Sequence, residues 1–134
     1  MDHASAQDWL DRYLAAWKSY DADDIAALFS ENVCYRFYPY AEWVEGRDEV
    51  VASWLAGDTD AQGSTRDEPG TYDGSYAPVA VDGDVVVATG TTTYTASPGG
   101  RVTEVFDNCF VMRFDDDRRC RQFTEYYTKR PAPD

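Results

Sequence analysis

Glu125, Asn108 and Tyr13 are the side chains best placed by type and spacing to do chemistry. In the run Arg121-Gln122-Phe123-Thr124-Glu125-Tyr126-Tyr127, strand alternation puts Arg121, Phe123, Glu125 and Tyr127 on one face. A carboxyl held among aromatic rings loses hydration when charged. That raises its proton affinity toward the range useful for general acid–base work. Asn108 shares the inward register of Phe106, Phe110, Met112 and Phe114 on the preceding run, where its amide can orient a carbonyl or a water. Tyr13 can donate to a developing oxyanion. The structural alternative is that Glu125 is hydrogen-bonded to Tyr or Arg side chains and seals the core.

The elements that must position these residues are readable in order. Ser5 followed by Asp8 resembles a capping start. Trp9, Leu10, Tyr13, Leu14 and Trp17 then recur on one helical face to about Ser19. Asp21 or Asp23 caps a short second helix with Ile25, Leu28 and Phe29 inward. Asn32–Tyr38 alternates as a strand, with Val33, Tyr35 and Phe37 on one face, and Pro39 ends it. Gly46-Arg47-Asp48 opens a third helix carrying Val50, Val51, Trp54 and Leu55, closed by Gly57. Residues 57–73 show no period and read as a long loop, either a functional flap or poorly ordered. Ser75–Val81 starts the sheet. Asp82-Gly83-Asp84 is a hairpin signal between apolar runs. Ser97-Pro98-Gly99-Gly100 and Asp115-Asp116-Asp117 break the two turns that follow. Helices first and an antiparallel meander after make the fold class α+β.

Composition narrows the classes. The chain has 134 residues, the size of one domain with a real core, so 1–134 is read as a single domain with its core at about 6–128. At 15% aromatic it is too rich in rings to be disordered. A net charge of −13 argues against phosphate-neutralising nucleic-acid binding and against anionic lipid. No apolar run approaches the ~18 residues of a membrane span. Cys34, Cys109 and Cys120 lack metal spacing and are expected as free thiols in a cytoplasmic protein. By parity, Cys109 and Cys120 face outward. Asp115-Asp116-Asp117 lacks the spaced ligands of a calcium loop and reads as a solvated hairpin. Arg118-Arg119-Cys120-Arg121 is read as its electrostatic complement. His3, the only His, falls in an expected fraying terminus, so no metal site is expected. No phosphate loop or dinucleotide fingerprint occurs, and no cofactor is expected.

The residues Arg12-Tyr13-Leu14-Ala15-Ala16-Trp17, Asp24-Ile25-Ala26-Ala27-Leu28-Phe29, Gly46-Arg47-Asp48-Glu49-Val50, and Arg113-Phe114-Asp115 leading to Phe123-Thr124-Glu125-Tyr126-Tyr127 carry a resemblance. The chain resembles the SnoaL-like, polyketide cyclase-related branch of the nuclear transport factor 2-like superfamily over about residues 6–128. The resemblance implies a cone-shaped half-barrel, a curved mixed and mostly antiparallel sheet packed against about three N-terminal helices. It also implies a hollow mouth, which Trp17, Tyr35, Phe37, Trp54, Phe106, Phe110, Met112 and Tyr127 would wall. Tyr38, Tyr40, Glu42 and Trp43 would form its rim, or serve an exposed contact.

The ketosteroid isomerases of this fold place an Arg-Tyr pair on the first helix, matched here by Arg12-Tyr13. Their base falls at Phe37 and their second oxyanion acid at Phe110, so that constellation is absent. What the resemblance implies instead is cofactor-independent proton transfer on an apolar or polycyclic substrate, as isomerisation, cyclisation or dehydration. A non-catalytic ligand-binding domain and a dimerisation module are the alternatives. A homodimer through the outer sheet face, with Arg36, Val105, Asp107, Cys109 and Val111, is expected.

Overall fold

The computed structural model describes residues 1–56, 58–60 and 63–132. Helix α1 spans His3–Ser19, α2 Ala22–Ala26 and α3 Arg47–Ala56. The strands are β1 Phe29–Arg36, β2 Val44–Glu45, β3 Asp58–Asp60, β4 Gly63–Thr65, β5 Tyr72–Asp82, β6 Val85–Thr95, β7 Val102–Phe114 and β8 Cys120–Lys129. Six strands make a curved, unclosed sheet in the order β2-β1-β8-β7-β6-β5. Among the described residues, only β1 and β8 run parallel in this sheet; its other pairs are antiparallel. The helices lead and the meander follows, as expected for α+β.

Local chemistry explains most boundaries. Helix α1 starts earlier than Ser5, because Asp2 and Ser5 form a reciprocal capping box that draws His3 into the first turn. His3 is therefore helical and not frayed. Tyr20 ends the helix in the left-handed region at φ 49 and donates its N–H to the Ala16 carbonyl. The second helix is shorter than expected. Asp21 caps it, but the chain turns extended by Phe29, which opens β1 instead of closing a helix. The strand accordingly ends at Arg36, before Pro39.

The long meander forms where the turn residues demanded it. Asp82 pairs with Val85 across a tight turn in which Gly83 takes φ +61. Strand β5 begins at Tyr72, and residues 58–60 and 63–65 pair as a small hairpin. The described part of the segment 57–73 thus carries strands and is not a plain loop; the expected Gly57 cap lies outside the described residues.

The core lies between α1, α3 and the concave sheet face. Trp9 sits at its centre, 1% exposed, donating its indole N–H to the Leu28 carbonyl at 3.0 Å. It contacts the rings of Tyr13, Phe29, Phe114 and Phe123. Tyr35 stacks on Phe123 with centroids 4.5 Å apart, across the parallel β1–β8 pair. Each such fully buried ring contributes about 2–3 kcal/mol of hydrophobic stabilisation.

One sequence expectation fails at the β7–β8 turn. Cys120 is fully buried in the core cluster, not outward. Arg113 pairs with Gln122 but Phe114 with Cys120, so Arg121 is an extra, bulged residue on β8, and a shift of one residue exchanges the faces. The arginine cluster complements the acid run in part: the Arg119 charge favours the ionised Asp115, while Arg121 pairs with Asp84 on the neighbouring turn, beside Arg113. Asp115 also receives the backbone N–H groups of Asp117 and Arg119 and the Ser30 hydroxyl. Those donors outweigh its desolvation and hold its carboxyl below the usual range.

Candidate functional site

Between the helices and the concave sheet lies a cavity of about 590 Å³. Its closed end is built from Tyr13 on α1, Tyr35 on β1, Trp54 on α3 and Phe110 on β7. Tyr13 contacts all of them or their neighbours, with ring centroids 5.3 Å from Trp54, 5.4 Å from Phe110 and 5.8 Å from Phe123. Toward the opening stand Trp17, Tyr94, Phe106, Tyr127 and Phe37, the last two substantially exposed. Met112 does not reach this space. It lies two residues beyond Phe110 on the same face, 1% exposed, where the core cluster covers the sheet. Tyr38, Tyr40 and Trp43 also stay outside it. Arg36 stacks over the Trp43 ring at 4.0 Å and donates to Thr124 at 3.0 Å on the outer face, which keeps that turn away from the mouth.

The polar part of the cavity is a hydrogen-bonded chain crossing four adjacent strands. The Tyr76 hydroxyl lies 2.6 Å from Thr92 Oγ1, which donates to Asn108 Oδ1 at 2.8 Å. Asn108 Nδ2 donates to Glu125 Oε2 at 3.2 Å. Thr92 has one hydrogen and gives it to Asn108, so Tyr76 must be the donor at the far end. Every donor therefore points toward the carboxylate. The charge on Glu125 orients the amide, the amide orients the hydroxyl, and the hydroxyl orients the phenol.

Two glycines make room for this arrangement. A Cβ on Gly74 would lie 2.5 Å from the Tyr76 hydroxyl, and one on Gly90 would lie 2.7 Å from its ring. Gly90 pairs with Tyr76 on one side and Asn108 on the other. The Tyr76 ring lies across that bare stretch of sheet, which carries its hydroxyl to Thr92.

Electrostatics keep the phenols protonated. Burial holds the Tyr13 and Tyr35 hydroxyls well above their ordinary range, and the Glu125 charge adds to both. Burial likewise pushes Tyr76 up to about 12. All three are neutral hydroxyl donors at physiological pH. Tyr13 thus stands on the cavity wall as a neutral hydroxyl, with the Tyr35 hydroxyl beside it.

A second polar cluster stands at the other end. Trp17 Nε1 donates to Asp67 Oδ2 at 3.2 Å and to the Tyr20 hydroxyl at 3.1 Å. The Tyr20 hydroxyl donates to Asp67 at 3.3 Å and accepts the Asp67 backbone N–H at 3.2 Å. Arg66 lies over the Tyr20 ring and donates to the Leu55 carbonyl at 2.8 Å. These bonds tie residues 66–67 to the ends of α1 and α3, beside the opening.

Of the residues expected from the sequence, Glu125, Asn108, Tyr13, Trp17, Tyr35, Phe37, Trp54, Phe106, Phe110 and Tyr127 line one cavity. Tyr76, Thr92, Tyr20 and Asp67 also line it and were not anticipated. Thr92 sits inside Thr91-Thr92-Thr93, where alternation has no contrast to read. Asp67 sits in a segment with no period at all. Inward parity counted along β5 from Tyr72 through Gly74 could have found Tyr76. Among the described residues, no group of His, Cys, Asp and Glu is arranged to hold a metal ion, and no helix is long and apolar enough to cross a membrane.

Comparison with known proteins agrees with this architecture. A family model described as a SnoaL-like domain matches residues 10–122. An LEH-like epoxide hydrolase of M. tuberculosis superposes with a TM-score of 0.63 at 16% identity, over 94% of this chain and 84% of that one. An NTF2-like protein of unknown function from Burkholderia pseudomallei gives 0.61 at 19% identity, over 96% and 92%. A protein from Sphaerobacter thermophilus gives 0.63 at 20%, over 92% and 95%. At these identities the likeness is one of fold. The ECF RNA polymerase sigma factor SigG of Mycobacterium tuberculosis is 38% identical over 50 residues, which span 37% of this chain and only 14% of the sigma factor.

Proposed function

The chain belongs to the SnoaL-like domain family of the NTF2-like superfamily, and on that premise we propose that it is a cofactor-independent enzyme of proton transfer. The reaction class is isomerisation, cyclisation or dehydration of an apolar or polycyclic substrate. The observation that carries this reading is the donor chain from Tyr76 that ends on Glu125 inside an aromatic cavity. Glu125 takes a proton from the substrate and returns it at a second position. Asn108 holds the carboxylate in place, and Tyr13 donates to the oxygen on which charge develops. The aromatic walls exclude water, which strengthens each of these interactions. The epoxide hydrolase of similar fold supports the broader point that this scaffold hosts chemistry on small molecules.

Glu125→Gln is the direct test. The Gln carbonyl can still accept from Asn108, so the melting temperature stays close to that of the parent. Deuterium exchange into enolisable cyclic ketones such as 2-tetralone should stop. Undiminished exchange in the variant removes the mechanism.

Binding without chemistry is the second reading, favoured by the bond from Asn108, which gives Glu125 a structural partner. Ligand affinity that survives Glu125→Gln, with no product from either protein, selects it. A homodimer through the outer sheet face and a cytoplasmic location complete the proposal. The exposed Val111 and Tyr126 on that face support the first, and three free thiols support the second. Solution mass tests the dimer.

A further inference from the structure

The donor chain along the cavity wall has a direction, and one charge sets it. Glu125 is level with Phe110, Asn108 with Gly90, and Thr92 with Gly74 and Phe106, so the chain climbs the sheet from the closed end toward the opening. Tyr76 lines the cavity at the outer end of that chain, its hydroxyl 2.6 Å from Thr92. A charged Glu125 only accepts, so Asn108 must turn its amide N–H to the carboxylate and its oxygen to Thr92. Thr92 then gives its one hydrogen to Asn108, and Tyr76 gives its own to Thr92. The Tyr76 oxygen has only lone pairs left to offer a ligand.

Neutralising Glu125 lifts that constraint. A protonated carboxyl both donates and accepts, and the charge-assisted bond, roughly twice as strong as a neutral one, is lost. The Asn108 amide can then turn over and the Thr92 hydroxyl can give its hydrogen to Tyr76. That releases the Tyr76 hydrogen to the cavity. No proton travels along the chain: the one taken up stays on Glu125, and the other groups only rotate. Neighbouring ionisable groups leave this charge in control. Tyr13 on α1, Tyr35 on β1 and Tyr76 on β5 are held neutral by burial. Asp67 stands at the opening, bonded to Trp17 and Tyr20. No Lys, Arg or His is found among the described residues lining the cavity.

We propose that Tyr76 is a specificity-determining contact of the cavity, with its hydrogen-bond role set by the charge on Glu125. With the carboxylate charged, the phenol accepts, and it selects a neutral ring compound that bears a hydroxyl donor. With the carboxyl protonated, that preference is lost. The coupling is reciprocal, so a bound donor holds Glu125 in the charged state, ready to take a proton. This inference rests on the ligand-cavity reading above and adds a selecting group to it.

The test compares 2-naphthol, a donor, with 2-methoxynaphthalene, its methyl ether, which only accepts. Both are titrated calorimetrically into the whole protein at pH 7. One pair of probes serves every variant, so the extra methyl group cancels when affinity ratios are compared. The parent is expected to favour 2-naphthol. Glu125→Gln lowers the ratio roughly fivefold, the worth of one hydrogen bond. Tyr76→Phe lowers it by a similar factor, and adding Glu125→Gln to that variant changes it no further. Neutron diffraction from parent crystals in deuterated buffer should show the Thr92 deuterium directed at Asn108.

An unchanged ratio in Glu125→Gln, or a parent that prefers the ether, overturns the selection and leaves the cavity reading intact. A full response to Glu125→Gln in the Tyr76→Phe background removes Tyr76 from the role. A Thr92 deuterium directed at Tyr76 in the parent overturns the direction of the chain. A ratio that responds as expected in a protein without proton exchange supports the selection while the enzyme reading fails. Binding by neither probe removes this inference together with the cavity reading.

Discussion

Replacing Thr92 by Val cuts the donor chain at its middle while keeping the side-chain shape. Thr92 is 4% exposed and is the partner of both the Tyr76 hydroxyl and Asn108 Oδ1. The variant leaves a buried phenol donor and a buried amide acceptor without that partner. An orphaned buried group costs about 1–3 kcal/mol, so the pair implies ~2–4 kcal/mol after some relief by rotation of Tyr76 into the cavity.

Tyr76→Phe removes only the terminal donor and costs about 1 kcal/mol, the net worth of one hydrogen bond. The two substitutions should not add. With Tyr76 already Phe, Thr92→Val orphans one group and not two, so the double variant falls ~1 kcal/mol or more short of the sum. Urea unfolding followed by tryptophan fluorescence, with unchanged slope, measures each term. Thr92→Val within ~0.5 kcal/mol of the parent, or simple additivity, refutes the idea that the chain is a connected unit. Under the proposed mechanism the same variant also loosens Asn108. Proton-exchange activity should then fall more in kcat than in KM.

Gly74→Ala sets a methyl group 2.5 Å from the Tyr76 hydroxyl and should act like Tyr76→Phe with an added overpacking cost of ~1–3 kcal/mol, read in the same unfolding assay. Gly90→Ala is worse, because its Cβ meets the Ser75 backbone oxygen; the expected outcome is loss of cooperative melting. In alkali, Tyr76 ionises in the unfolded chain near pH 10 but in the folded one only near about 12. Stability is therefore unaffected below pH 10 and declines as pH rises from 10 to 12. The decline, followed by melting temperature against pH, should be shallower in Tyr76→Phe. Cys120 is fully buried and its thiol pushed up by burial, so a thiol reagent at pH 8 should modify the half-buried Cys34 and Cys109 first, as peptide mapping would resolve.

The fold class and the inward registers were determined by the amino-acid sequence itself. Alternation along Phe106–Phe114 and Phe123–Tyr127 needs only the two-residue period of a strand. Apolar spacing from Trp9 to Trp17 needs only the helical one. These are local rules, and they placed Glu125, Asn108 and Tyr13 on faces that turn out to meet. Cys120 marks where parity stops working, since a bulge at Arg121 inverts it and nothing in Arg118-Arg119-Cys120-Arg121 announces the bulge.

Tertiary structure alone decided which polar groups bond to each other. Tyr76, Thr92, Asn108 and Glu125 come from four strands, and only the inter-strand register aligns them. That register depends on the turns at Gly83 and Gly99 and on the bare surface of Gly74 and Gly90 acting together. Asp67 reaches Trp17 and Tyr20 because the chain folds back across two helix ends, a long-range closure with no periodic trace. Hydrogen bonds are short and directional, so they are fixed by positions in space, whereas burial follows a pattern that can be read one residue at a time.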